Sequence, residues 1–153
     1  MRISADNWVV NGCPHTGPSL TANSKGLHFS WFTMGGGQGA FYCRSADNGN
    51  TYTQKESLGK SPMAKHPQMT TVNDQIMIVW DEPVKWKDGF NYRIGFQYKD
   101  ADGKTKQAGV LTADSSYADY PVISALKDNK ALVAYKRKDV NGGEVVVDVL
   151  HLQ

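Results

Sequence analysis

Ser45-Ala46-Asp47-Asn48-Gly49-Asn50-Thr51-Tyr52 follows a short apolar run, Ala40-Phe41-Tyr42-Cys43, and leads into a second polar, strand-like run. The spacing predicts a locked β-hairpin. Gly49 is free to take the positive φ that a tight turn needs. Asp47 can fold its carboxylate back onto backbone N–H groups of the turn. Ser45 and Thr51 bring hydroxyls to the same network, and Tyr52 packs its ring where the next strand begins. A turn lock of this kind is structural and assigns no chemistry, but it directs attention to repeats.

Three segments share a frame. Gly17-Pro18-Ser19-Leu20 precedes Leu27-His28-Phe29-Ser30-Trp31, and His66-Pro67-Gln68-Met69 precedes Ile76-Met77-Ile78-Val79-Trp80. Tyr120-Pro121-Val122-Ile123 precedes Ala131-Leu132-Val133-Ala134-Tyr135. The three prolines are 49 and 54 residues apart. A period near 50 made of short β-branched and aromatic runs is the pattern of a propeller blade rather than of a helical solenoid. Third strands are expected at Gly39–Arg44, Tyr92–Tyr98 and Glu144–Leu152, with turns at Asn73-Asp74, Lys127-Asp128-Asn129 and Asn141-Gly142-Gly143.

The expected fold is therefore all-β, a single module over 1–153 built of three propeller blades. An outer strand and the loop leading in take 1–16, blade one 17–60, blade two 61–115, and blade three 116–153. Lys99-Asp100-Ala101-Asp102-Gly103-Lys104 is a worn copy of the hairpin lock in blade two. Blade three has no fourth strand of its own, so Arg2–Val10 is expected to pair as an outer strand with Glu144–Leu152. Three blades do not close a ring, since propellers have roughly four to eight. Two routes remain open: the chain is half of a six-bladed polypeptide, or two copies assemble head to tail and hide the edge strand.

Composition fits one domain with a real core. The 153 residues are 40% hydrophobic, with 15 glycines and 6 prolines suited to a turn-rich β protein. Seventeen basic and 15 acidic residues are well mixed, for a net charge of +2, which argues against a nucleic-acid surface. No apolar run is long enough for a membrane span. Met1–Asp6 lacks the basic and apolar pattern of a signal peptide. Cys13 and Cys43 fall on positions about two strand spacings apart, too far for a disulfide, so two free thiols are expected.

In a propeller, the connections into first strands and the loops between second and third strands open on one face. Here those loops carry His15, His66, Asp119 and Tyr120, together with Asp81, Glu82, Trp86 and Arg137. Loops held on a rigid scaffold are where binding residues concentrate. His15, His66, Trp86 and Tyr120 are the candidate ligand-binding residues, with Trp86, Phe90 and Tyr92 read as a sugar-stacking platform. Asp119, Arg137 and Asp81 are the weaker catalytic candidates. Asp81 and Glu82 are adjacent on a strand and point to opposite sides. A glycoside hydrolase needs two carboxyl groups about 5–9.5 Å apart, so at most one of this pair serves, alongside Asp119. Met34, Met63, Cys13 and the two histidines match no tight metal-ligand spacing, and no metal or cofactor is assigned.

The Ser45, Asp47, Gly49, Thr51 and Tyr52 hairpin resembles an Asp-box, or BNR repeat. With the 50-residue period and the opening Trp8-Val9-Val10-Asn11-Gly12-Cys13-Pro14-His15-Thr16-Gly17-Pro18, the chain resembles the C-terminal half of a bacterial sialidase-like BNR propeller. The resemblance implies six blades, a carbohydrate or small-molecule ligand, and an extracytoplasmic location if the chain is a fragment. Sialidases hold the substrate carboxylate with three arginines, whereas Arg2, Arg44, Arg93 and Arg137 cannot supply such a triad from one copy. Two functions are carried forward. One is a non-catalytic propeller module binding a glycan at its loop-rich face. The other is an exo-α-sialidase-type glycoside hydrolase whose site is completed by a second copy or a missing N-terminal half.

Overall fold

The computed structural model describes residues 2–9, 15–139 and 141–152. Eleven strands, and no helix, are found among them. The first antiparallel sheet contains β1 (Ser19–Asn23), β2 (Gly26–Thr33), β3 (Gly39–Ser45) and the short β4 (Glu56–Ser57), in that order. The second contains β5 (Lys65–Val72), β6 (Gln75–Trp86), β7 (Gly89–Lys99) and β8 (Thr105–Val110). The third has β9 (Tyr117–Leu126), β10 (Lys130–Asp139) and β11 (Gly142–His151), with β11 at its outer edge.

Local chemistry explains the hairpins. Asn73 and Asp74 join β5 to β6 with φ of 44° and 70°, and Asp128 and Asn129 join β9 to β10 with φ of 59° and 55°. Two consecutive left-handed residues make the primed turn whose twist suits flanking strands, and Asn and Asp tolerate it best. The Ser45–Tyr52 turn is locked by hydrogen bonds. Thr51 donates its N–H to Asp47 Oδ1 (2.8 Å) and its hydroxyl to Asp47 Oδ2 (2.7 Å), while Ser45 Oγ accepts from Gly49 N (2.7 Å). These donors hold the Asp47 carboxyl down at about 2, with the Thr51 hydroxyl the largest cause. Gly49 has φ of 89°, and Tyr52 packs edge-on against Phe29.

The sheets stack face to face with two apolar layers between them. Ala40, Tyr42, Leu58, Met69, Ile76, Ile78 and Trp80 fill the space between the first and second sheets. Val79, Ile94, Ala118, Val133 and Tyr135 fill that between the second and third. Alternation along β6 thus sends Ile78 and Trp80 one way and Val79 the other, as a strand buried on both faces requires. Repeat-equivalent residues meet across the sheets. Thr21 Oγ1 lies 2.8 Å from Thr71 Oγ1, Met69 N donates to Ser19 Oγ (3.1 Å), and His66 N donates to Thr16 Oγ1 (3.3 Å). The sequence period has become the inter-sheet contact list.

Three expectations need correction. Residues 2–9 form no strand and do not lie along β11. They run over the first sheet instead, where Trp31 Nε1 donates to Asp6 Oδ2 (2.9 Å), Lys55 pairs with Asp6 Oδ1 (2.5 Å), and Trp8 meets Phe32 edge-on at 5.5 Å. One half-buried carboxylate with several donors outweighs a backbone ladder that this polar segment has few β-branched residues to support. Second, the stretches 81–89 and 136–140 were read as loops, yet β6 and β7 pair as far as Trp86↔Gly89, and β10 and β11 as far as Asp139↔Gly142. Pro83 is tolerated because β5 reaches only to Asp81, leaving β6 without a ladder on that side. Third, Trp86 does not join Phe90 and Tyr92. Phe90, Tyr92 and Ile94 share the face turned toward the third sheet, whereas Trp86 shares the opposite face with Trp80 and Glu82.

Cys43 is a buried free thiol whose burial pushes its pKa up to about 11. Cys13, with the rest of the Val10–Pro14 part of the opening motif, lies outside the described residues.

Candidate functional site

The repeated proline frame builds the site. His66 precedes Pro67 at the start of β5, and Tyr120 precedes Pro121 in β9. Both residues are left-handed, with φ of 49° and 54°. In each strand the register slips at this point, between Lys65 and Gln68 against β6, and opposite Ala134–Lys136 in the β9–β10 pair. Non-glycine residues at positive φ are uncommon, and bulges re-aim side chains. Two bulges at equivalent places in adjacent sheets bring two rings together. His66 and Tyr120 stack with centroids 4.2 Å apart.

Asp81 ties both bulges. It sits on β6, 1% exposed, and its Oδ2 accepts from His66 Nδ1 (2.6 Å) and from the Tyr120 backbone N–H (2.8 Å). A proton on Nδ1 leaves Nε2 of a neutral imidazole as an acceptor. Asp81 Oδ1 is buried with no hydrogen-bond partner, and so is Asp119 Oδ1. Burial raises the Asp119 carboxyl above its ordinary range. Lys138 works against this, and the neighbouring Asp81 charge adds to it. Tyr92 and Tyr117, 5.4 Å apart, complete the surroundings, and burial raises both phenols with Asp81 and Asp119 contributing. Lys138 covers the Tyr117 ring at 4.8 Å.

Of the residues proposed from sequence, His66, Asp81, Asp119 and Tyr120 come together here. Arg137 does not join them. It is partly exposed and bonds Glu144 on β11 at 2.6 and 2.9 Å. Trp86 is at the hairpin end on the far face, and His15 has φ of 49° in the segment before β1. Glu82 faces away from Asp81 and is saturated by Arg93 (2.7 and 3.0 Å), with Trp80 Nε1 and Lys60 N at 3.3 Å. Tyr117, on the stretch leading into the third sheet, and Tyr92, of the proposed platform, meet each other here. The β6–β7 extension that lifts Tyr92 there was hidden in a polar stretch. No group of three or more His, Cys, Asp or Glu side chains able to hold a metal occurs among the described residues.

The buried acid makes a pH prediction. Asp119 is neutral in both folded and unfolded protein below the unfolded value of 3.8, and its burial costs stability as pH rises through its higher folded value. Asp119→Asn should therefore unfold like the wild type in acid and gain relative stability as pH rises above 4. Parallel urea titrations between pH 3 and 8 check this, and parallel curves throughout would sink it.

No protein-family model and no curated protein matches the chain. Solved structures do. A protein of unknown function from Dyadobacter fermentans superposes with a TM-score of 0.64 at 21% identity, over 89% of this chain and 38% of that one. Cellvibrio cellulosa α-L-arabinanase complexed with arabinohexaose gives 0.56 at 10% identity, over 95% and 58%. The endo-arabinase of Bacteroides thetaiotaomicron gives 0.54 at 12%, over 86% and 54%. The architecture is that of a β-propeller. This chain spans about half the length of the arabinanases, and less of the Dyadobacter protein. The sialidase-like BNR resemblance is overturned, because the similar structures of stated activity are arabinanases, five-bladed propeller glycoside hydrolases. The Ser45–Tyr52 hairpin accordingly stands as a turn lock and not as a family signature. A well-bonded turn of this kind arises wherever a short hairpin needs fastening, so its pattern carried less family information than its spacing suggested.

Proposed function

We propose that this chain is a carbohydrate-recognising propeller module whose site lies at the mouth between the second and third sheets. The observation that carries this reading is the pair of buried carboxyl groups, Asp81 and Asp119, each with an unpartnered oxygen beside the stacked His66 and Tyr120 rings. Unpaired buried acceptors next to an aromatic face suit a sugar, whose hydroxyls donate while its C–H face stacks. Arabinanases among the similar structures, one complexed with arabinohexaose, make 1,5-linked α-L-arabino-oligosaccharides the first probes. Isothermal titration with arabinohexaose should show saturable binding that is weakened at least about tenfold by His66→Ala, a loss of roughly 1.4 kcal/mol. No heat of binding in the wild-type protein sinks the proposal.

A second reading, glycoside hydrolysis, is favoured by two carboxyl groups at one mouth, Asp81 and Asp119, the latter raised by burial above its ordinary range, since such enzymes work with a pair of carboxyl groups. Release of arabinose from a chromogenic arabinofuranoside, abolished by Asp119→Asn, would select it over binding alone. The third sheet leaves one apolar face uncovered. Val145, Val147 and Val149 stand exposed on β11, and Val122 and Leu126 on β9. Further blades, from a second copy or from a longer polypeptide, would cover them. Two copies would make six blades, which native mass spectrometry distinguishes from a monomer.

A further inference from the structure

We infer that the mouth takes an extended, multi-ring glycan laid along the β6–β7 hairpin, rather than a single sugar. The inference rests on the carbohydrate reading above and deepens it. The hairpin projects past Asp81 with no third strand beside it, because β5 stops pairing there. On the face turned toward the third sheet it carries Phe90 and Tyr92, two residues apart and therefore about 7 Å along the strand. Tyr92 reaches Tyr117 at 5.4 Å, and Tyr117 opens β9 three residues before Tyr120. His66 and Tyr120 close the row at 4.2 Å. Aromatic faces thus run in steps from the open hairpin to the two carboxyl groups.

Exposure marks which of these are spare. Phe90 is 73% exposed and Tyr120 50% exposed, against a general tendency to bury such rings. No packing partner for Phe90 is needed by the hairpin, whose ladder and Lys85↔Phe90 register stand without it. A ring held out at the end of a paired, regular hairpin costs hydration and supports no core. It stands two residues beyond Tyr92 on the same face of the hairpin. Successive sugar rings of a linear oligosaccharide can place their apolar C–H faces on successive aromatic side chains, while their hydroxyls remain in water or reach the carboxylates.

The test compares lengths. Binding of 1,5-linked α-L-arabinobiose and arabinohexaose is measured by isothermal titration for the wild type, Phe90→Ala and His66→Ala, with circular dichroism to confirm folding. The six-unit ligand should bind about tenfold more tightly than the two-unit one. Phe90→Ala should abolish most of that advantage and leave the two-unit affinity unchanged, whereas His66→Ala weakens both. Equal affinity for the two lengths, or a Phe90→Ala loss shared equally by both, overturns the hairpin path and leaves the mouth site standing. Failure of the wild type to bind either length overturns the mouth site and the hairpin path together.

Discussion

Trp80→Ala should lower the unfolding free energy by about 3–5 kcal/mol, the usual range for emptying a buried aromatic site. The whole protein has only about 5–15 kcal/mol to lose, so the variant should be largely unfolded under mild denaturant. Trp80 is 3% exposed at the centre of the layer between the first and second sheets. Its indole lies flat on Gly95, where an added Cβ would stand 2.6 Å from the ring. The indole N–H also donates to Glu82, whose carboxylate holds Arg93, and Arg93 in turn holds Asp114 at 2.9 Å. Removing the ring would open the buried Glu82 end of that network to water. Trp80→Phe keeps most of the volume and should lose clearly less. Urea unfolding followed by far-ultraviolet circular dichroism decides the matter. A Trp80→Ala midpoint within 1 M of the wild type would contradict the packing described, given a slope of about 1–3 kcal/mol per molar urea.

Asp81→Ala should have the second largest effect, and on both stability and binding. It strands two donors, the His66 ring N–H and the Tyr120 backbone N–H, at two bulges that are already in an uncommon backbone region. Leaving buried partners unpaired costs about 3 kcal/mol in comparable cases. Without the tie, the His66–Tyr120 stack loses the carboxylate that holds both residues, and arabinohexaose binding should fall at least about tenfold. Asp81→Asn retains one carbonyl acceptor and separates the two losses. It should recover much of the stability while binding stays weak, because one acceptor cannot serve both donors and a ligand hydroxyl. If Asp81→Ala folds and binds as the wild type does, Asp81 is not the hub of the mouth.

Much of the strand framework was legible. The three proline frames became β1, β5 and β9, and the aromatic-ended runs became β2, β6 and β10, because alternating apolar residues between turn formers leave little freedom in register. The opposite pointing of Asp81 and Glu82 followed from strand alternation alone. His66 and Tyr120 hold matching pre-proline places in the repeat, and stacking of the sheets brings them together beside Asp81 and Asp119. The misplacements share a cause. Trp86 was grouped with Phe90 and Tyr92 while 81–89 was taken as a loop, and a loop has no alternation to keep them apart. Arg137 was put on the mouth for the same reason, whereas the continued β10–β11 ladder sets it opposite Glu144.

What the chain determined unaided was a set of short, turn-bounded strands recurring every 50 residues or so, since periodicity and turn chemistry are local properties. Only the folded molecule decided where residues 2–9 lie, how far the two long hairpins extend, and that two pre-proline bulges aim His66 and Tyr120 at one aspartate. Those outcomes depend on donors and acceptors far apart in sequence, and no local pattern encodes which of several carboxylates a buried N–H will meet.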